Sequence, residues 1–418
     1  MRFSSLRLPA GMRDFAPEAA AARRRIAETL LRVFERWGYA RVITPAFEYE
    51  DVLTLGLGSA GREAAIRFVE PSSGQVVALR PDITPQIARL VATRFRDEAG
   101  ALRLCYEGTV VRLDRRARSQ RELIQAGVEL CGVGTPDGDV EVVALGAAAL
   151  AAVGLPTPTI DLGHLGLTRE VLGALELPPE ALELARGRIA KRDRAGLREV
   201  LRSARGPRAV VDFAALLPEL SGPPSVLAVA RRRPPTAGIR RALENLADVV
   251  RALDQRQLAG KLHVDLGEVR GFDYYTGIRL HGFVEGASEP VLQGGRYDGL
   301  LARYGRPAPA VGFAVDVEAT AGALEAAAAG ALDPAAALPD ENGRPSVLIS
   351  GPARKAERLA DTLRAEGRRA AVDYAGLRGA ALEAYARRWQ FSEVVRLGAS
   401  GRGTPSRASA RQPKPRRS

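Results

Sequence analysis

The chain has 418 residues, of which 46% are hydrophobic and 26% charged, with a formal net charge of +12. Such a length and apolar content fit a globular protein of two or three domains and exclude a disordered or fibrous chain. Half of the excess charge lies in residues 398–418, so the balance does not make the body of the protein a nucleic-acid binder.

Residues 1–7 carry no apolar signal core. Residues 17–37 read as a helix: Pro17 suits a first position, Glu18 suits the positive dipole end, and Ile26, Leu30 and Phe34 make one stripe. Gly38 can end it in a left-handed cap. Residues 39–47 read as an edge or bulged strand, because Pro45 has no N–H to give a ladder. Residues 75–79 form a short strand that delivers Arg80-Pro81-Asp82-Ile83-Thr84-Pro85 to a helix, with Thr84 as its cap. Residues 104–112 and 122–132 pair as a hairpin around a charged loop, 113–121. Cys105 and Cys131 lie on these strands; two cysteines at this spacing give neither a disulfide framework nor a metal site, and read as buried thiols in a reducing cytoplasm.

Residues 142–155 are apolar but shorter than the roughly 20 residues of a membrane span, so a buried helix is expected. Residues 165–250 are rich in Ala, Leu and Arg, break at Pro178-Pro179 and Pro223-Pro224, and read as a helical insertion. Strand patterns return at 262–266 and 278–283, a Gly-rich turn is expected at 293–298, and a last strand at 311–317 precedes an Ala-rich helix to about 329. Residues 331–345 read as a linker. Residues 346–397 open as a strand, helix and strand of a small α/β domain, and 398–418 as a disordered basic tail.

Gln125 and Glu129 are four apart on a strand, so they share a face with Gly127 and Cys131 while Ile124, Ala126, Val128 and Leu130 take the other. Alone, that alternation equally describes a solvent-facing sheet. Arg112, ending the partner strand, can reach the same face. Asp82 lies one residue off a capping role and is free to point elsewhere. Arg270 either pairs with Asp273 at the surface or faces a ligand beside Tyr274 and Tyr275. A free amino acid needs acids for its ammonium, a cation for its carboxylate and polar groups for its side chain. Asp82, Thr84, Arg112, Gln125, Glu129, Arg270, Tyr274 and Tyr275 make such a set, at about 1.5–3 kcal/mol per shielded charge-assisted bond.

The run Arg270-Gly271-Phe272-Asp273-Tyr274-Tyr275-Thr276-Gly277 resembles the histidine loop of histidyl-tRNA synthetases, and residues 294–300, opening Gly294-Gly295-Arg296-Tyr297-Asp298, the floor of that pocket. Residues 17–47 are similar to the first motif of class II synthetases, and 104–132 to the second. The resemblance implies an α+β fold, a class II synthetase-like antiparallel sheet flanked by helices over residues 1–330. It also implies an inserted helical segment at about 165–250 and a small C-terminal α/β domain like a truncated anticodon-binding domain. It carries histidine binding to the eight residues above.

The pattern departs from the synthetases where ATP is held. Ala319 stands in place of the third-motif arginine, and Asp316 in place of a small residue. The loop after Arg112 lacks the usual glutamate, a place that Asp114 could fill. Losing one preorganised stabiliser costs roughly 10²–10³ in rate. This combination resembles the ATP phosphoribosyltransferase regulatory subunit family, paralogues of the synthetase. It implies a non-catalytic subunit of histidine biosynthesis that needs no cofactor and no metal. Its implied partners are a short-form catalytic ATP phosphoribosyltransferase subunit in a hetero-oligomer and a second copy of itself through the first motif. L-Histidine is the implied effector, without membrane or tRNA. The alternative is an active histidyl-tRNA synthetase with divergent motifs; a binder of nucleic acid through the basic tail is a further rival.

Overall fold

A computed structural model describes residues 7–113, 121–155, 157–271, 274–285, 287, 289–328, 346–398 and 403–407. The strands in chain order are β1 (Ala40–Arg41), β2 (Phe47–Tyr49), β3 (Arg67–Val69), β4 (Val76–Leu79), β5 (Leu102–Val111), β6 (Glu122–Cys131), β7 (Thr159–His164) and β8 (Ser221–Gly222). They continue with β9 (Leu262–Asp265), β10 (Ile278–Phe283), β11 (Leu292–Arg296), β12 (Ala310–Asp316), β13 (Val347–Ser350), β14 (Ala370–Val372), β15 (Glu393–Leu397) and β16 (Gly403–Arg407). Among the described residues the largest sheet has the order β1-β5-β6-β12-β11-β10-β7-β9-β8. It is antiparallel except where β1 meets β5 and β7 meets β9.

Period-two alternation sorts the two faces of β6. Ala126, Val128 and Leu130 enter the main core with Phe34, Leu145 and Phe313. Cys131 belongs to the opposite cluster with Leu104, Tyr106 and Ile83. Two helices cover the first face. Pro17–Arg36 buries its Ile26, Leu30 and Phe34 stripe, and Pro136–Ala152 is buried nearly all round, as its continuous apolar run requires. Helices Leu165–Gly173, Pro179–Ala190, Arg194–Leu201, Arg208–Leu216, Val226–Ala230 and Ala237–Asp254 form the insertion that the proline pairs punctuate.

Several sequence expectations need correction. Residues 39–47 are not one strand: β1 joins the large sheet, β2 joins a separate sheet of order β2-β4-β3, and Pro45 lies in the break. The carbonyls freed there are taken up by Arg80, whose Nη1 donates to Thr44 O at 3.0 Å and Pro45 O at 3.3 Å. Residues 293–298 are not a turn. Most of them form β11, an inner strand between β12 and β10, and glycine serves close approach, since a Cβ on Gly294 would strike Gly312 O. Thr84 is not a cap; it is the first residue of helix Thr84–Arg94, and no side chain caps that end.

The small sheet has the order β14-β13-β15-β16, with helices Ala353–Ala365 and Gly379–Arg388. The tail expectation for 398–418 fails at 403–407, because β16 pairs antiparallel with β15 and covers its open edge. Pro405 is tolerated there because an edge strand needs no N–H on its outer side. Asp114 and the linker 331–345 lie outside the described residues.

Candidate functional site

Strands β6, β11 and β12 and the start of helix Thr84–Arg94 enclose a cavity of about 400 Å³, lined in part by Asp82, Thr84, Arg112, Gln125, Tyr274, Tyr275, Gln293, Tyr297 and Asp316. Register explains the convergence. Gln125 sits opposite Asp316 of β12 and Gly108 of β5, and Glu129 opposite Gly312 and Leu104. The face that carries Gln125 and Glu129 is therefore interior, not a solvent-facing sheet surface; the two side chains are 7% and 1% exposed.

Glu129 lies just beneath the lining, in a ring of hydroxyls. Thr84 Oγ1 donates to its Oε1 at 2.7 Å, Tyr106 OH donates to the same oxygen at 3.2 Å, and Tyr297 OH donates to Oε2. Burial pushes this carboxyl well above the usual range, reinforced by the nearby Asp82 and opposed by the Thr84 and Tyr106 hydroxyls. Tyr274 forms an aromatic wall with Tyr275 at 4.8 Å and Tyr297 at 5.4 Å between ring centroids. Its hydroxyl is buried without a partner, so it is available to a ligand.

Nearer the mouth, Gln125 links the two chain segments that flank it. With its amide nitrogen towards Asp82 it donates to Oδ1 at 3.3 Å, and its oxygen accepts from Arg112 Nη2 at 2.6 Å. Arg112 Nε donates to Pro81 O at 2.7 Å. Asp82 Oδ1 also accepts from Ile83 N at 2.8 Å. Asp316 borders this end, and its Oδ1 accepts from Ala319 N at 2.9 Å, which caps helix Val317–Ala328. The side chain of Ala319 packs against the core and offers nothing to a phosphate.

Seven of the eight predicted residues thus meet: Asp82, Thr84, Arg112, Gln125, Tyr274 and Tyr275 on the lining, with Glu129 under it. Arg270 does not. Its guanidinium grips buried Glu268, with Nε to Oε1 at 3.0 Å and Nη2 to Oε2 at 2.6 Å, and it stays half exposed. Asp273, its other suggested partner, lies outside the described residues. Two further polar side chains lie behind the lining: Tyr106, which the β5 alternation places on the Glu129 face, and Arg279, whose guanidinium packs on the Tyr275 ring. Among the described residues no acid, His or Cys cluster could hold a metal, and no helix is long and apolar enough to cross a membrane.

The sequence model of the histidyl-tRNA synthetase family matches residues 11–320. An ATP phosphoribosyltransferase regulatory subunit of Geobacter sulfurreducens is 43% identical over 76% of this chain and 73% of its own length. One from Anaeromyxobacter dehalogenans is 43% identical over 77% and 92%. A crystal structure from Bacillus halodurans, described as an ATP phosphoribosyltransferase regulatory subunit/histidyl-tRNA synthetase, superposes with a TM-score of 0.71 at 28% identity, covering 94% of this chain and 98% of that one.

Proposed function

The chain belongs to the ATP phosphoribosyltransferase regulatory subunits, a histidyl-tRNA synthetase-like family of non-catalytic subunits in histidine biosynthesis, and we propose that this member senses free L-histidine in the tyrosine-walled cavity. In this reading the imidazole lies along Tyr274, Tyr275 and Tyr297, with its ring N–H groups directed to Glu129 and the Tyr274 hydroxyl. The ammonium group sits by Asp82, Gln125 and Thr84. The depth of Glu129 suits it to the side chain of the ligand.

One observation carries the reading: a complete polar floor beneath an aromatic wall survives beside Ala319, which takes the place of the synthetase arginine. The partner is then a short-form catalytic ATP phosphoribosyltransferase subunit, in a cytoplasmic hetero-oligomer. Self-pairing would use the first-motif side, where Ile43, Phe47, Tyr49 and Val76 are exposed. Residues 1–330 would carry the sensor and 346–397 a trimmed relative of an anticodon-binding domain, with neither tRNA nor aminoacylation involved.

Calorimetry with L-histidine and an assay of the catalytic subunit together test this. Glu129→Ala should weaken histidine binding and relieve feedback while activation of the catalytic subunit survives. Robust histidine-dependent ATP–pyrophosphate exchange by the pure protein would overturn the reading.

A further inference from the structure

We propose that Arg279 is the group that recognises the carboxylate of the amino acid in this cavity, an inference that rests on the histidine reading above. Along β10, Ile278 and Leu280 enter the main core, so Arg279 points to the opposite face, towards the cavity wall. It is 5% exposed. Its guanidinium lies 4.3 Å over the ring of Tyr275. Nη1 donates to Leu280 O at 3.2 Å and to Gly294 O, and Nη2 to Gln293 Oε1 at 3.2 Å.

Two deficits remain on this side chain. Nε is buried with no hydrogen-bond partner. Among the described residues no carboxylate forms an ion pair with it, although a buried cation without a counter-charge is costly. A ligand carboxylate supplies both the acceptor and the charge.

The surroundings show where that carboxylate would come from. Tyr275, Gln293 and Gly294, which hold the guanidinium, all line the cavity, and so does Gly271. Nε is 4.0 Å from the point where a Cβ on Gly271 would stand. Gly271 has φ +73°, which disfavours any larger residue, so no side chain from that position covers Nε. The two other predicted cations are committed: Arg270 to Glu268, and Arg112 to Pro81 O and Gln125.

Calorimetry with L-histidine and with histidinol, which carries a hydroxymethyl group in place of the carboxylate, reads this role. Arg279→Gln should raise the Kd for histidine roughly tenfold or more, while the Kd for histidinol changes by less than about twofold. Arg279→Lys should fall between. Equal weakening of both ligands would make Arg279 a mere support of the Tyr275 wall and overturn the proposal, as would unchanged histidine affinity. Should Arg279→Gln fail to fold, the wild-type arginine Nε–H resonance that Arg279→Lys removes should move on adding histidine and stay still with histidinol. Its indifference to histidine also overturns the proposal. A wild-type protein that binds neither ligand would instead defeat the histidine reading itself, and this inference with it.

Discussion

Thr84 Oγ1 donates to Glu129 Oε1 at 2.7 Å, joining the start of a helix to the middle of a strand 45 residues later in the chain. With the Tyr106 and Tyr297 hydroxyls on the same carboxylate, this bond fixes the floor of the cavity before any ligand arrives. The buried network has a consequence for pH. Burial raises the Glu129 carboxyl well above its ordinary value of 4.5, so the folded protein holds this proton where the unfolded chain has lost it. The folded state then binds more protons, and this group's effect on stability turns unfavourable as pH rises from about 4.5 to the folded-state value. Glu129→Gln keeps the shape without the titration. Urea midpoints measured against pH should decline less steeply above 4.5 in the variant, and identical slopes would contradict this account.

Asp316 and Ala319 govern the other end of the cavity. Asp316 caps helix Val317–Ala328 through Ala319 N, so Asp316→Ala should cost about 1 kcal/mol and Asp316→Asn much less, by thermal melting. Ala319→Arg alone brings a guanidinium one turn from the Asp316 carboxylate, which would engage it. Only Ala319→Arg combined with Asp316→Asn should gain measurable ATP binding, detected by fluorescent nucleotide titration. Equal gain in the single variant would show that Asp316 does not obstruct the anion.

Much of this site was legible in the chain because strand alternation is local. The spacing of Gln125 and Glu129 set their common face, and β5 and β12 had only to bury it. The pairing of Arg270 with Glu268, two residues earlier, was not legible, because a loop's backbone path decides which charges along it meet. The Gly294-Gly295 pair misled for a different reason. Adjacent glycines signal a turn when read locally, whereas here the lack of a Cβ lets β11 run against Gly312 and Phe313 of β12. The covering of β15 by β16 was equally invisible, since an edge strand of Gly, Thr, Pro, Ser and Arg has no apolar alternation to announce it.

The two cysteines should be inert in the folded protein. Both are buried, and burial pushes the Cys105 thiol up to about 12 and the Cys131 thiol higher still. A thiol reagent at pH 8 should label neither until denaturant is added, and both then react. Fast labelling of the native protein would contradict the packing of β5 against β6.

Arg103 and Glu141 tie the small sheet to the large one. Arg103 Nε donates to Glu141 Oε1 at 2.8 Å and Nη2 to Oε2 at 2.9 Å, with the two side chains 3% and 1% exposed. The same Nη2 donates to Val372 O of β14 at 2.7 Å, and Tyr39 OH donates to Glu141 Oε1 at 3.0 Å. Burial works against the charge on Glu141, yet Arg103, joined by Arg364 and the Tyr39 hydroxyl, holds the carboxyl below its usual range. Glu141→Gln leaves a guanidinium buried without its counter-ion, and should cost about 3–5 kcal/mol in urea unfolding. Arg103→Met with Glu141→Leu replaces the pair by apolar groups and should cost far less than Glu141→Gln. That double variant also removes the bond to Val372 O, and with it one anchor of the small sheet. Its amides should then exchange with solvent faster than those of the large sheet, and uniform protection across both would show that the two are coupled by other contacts.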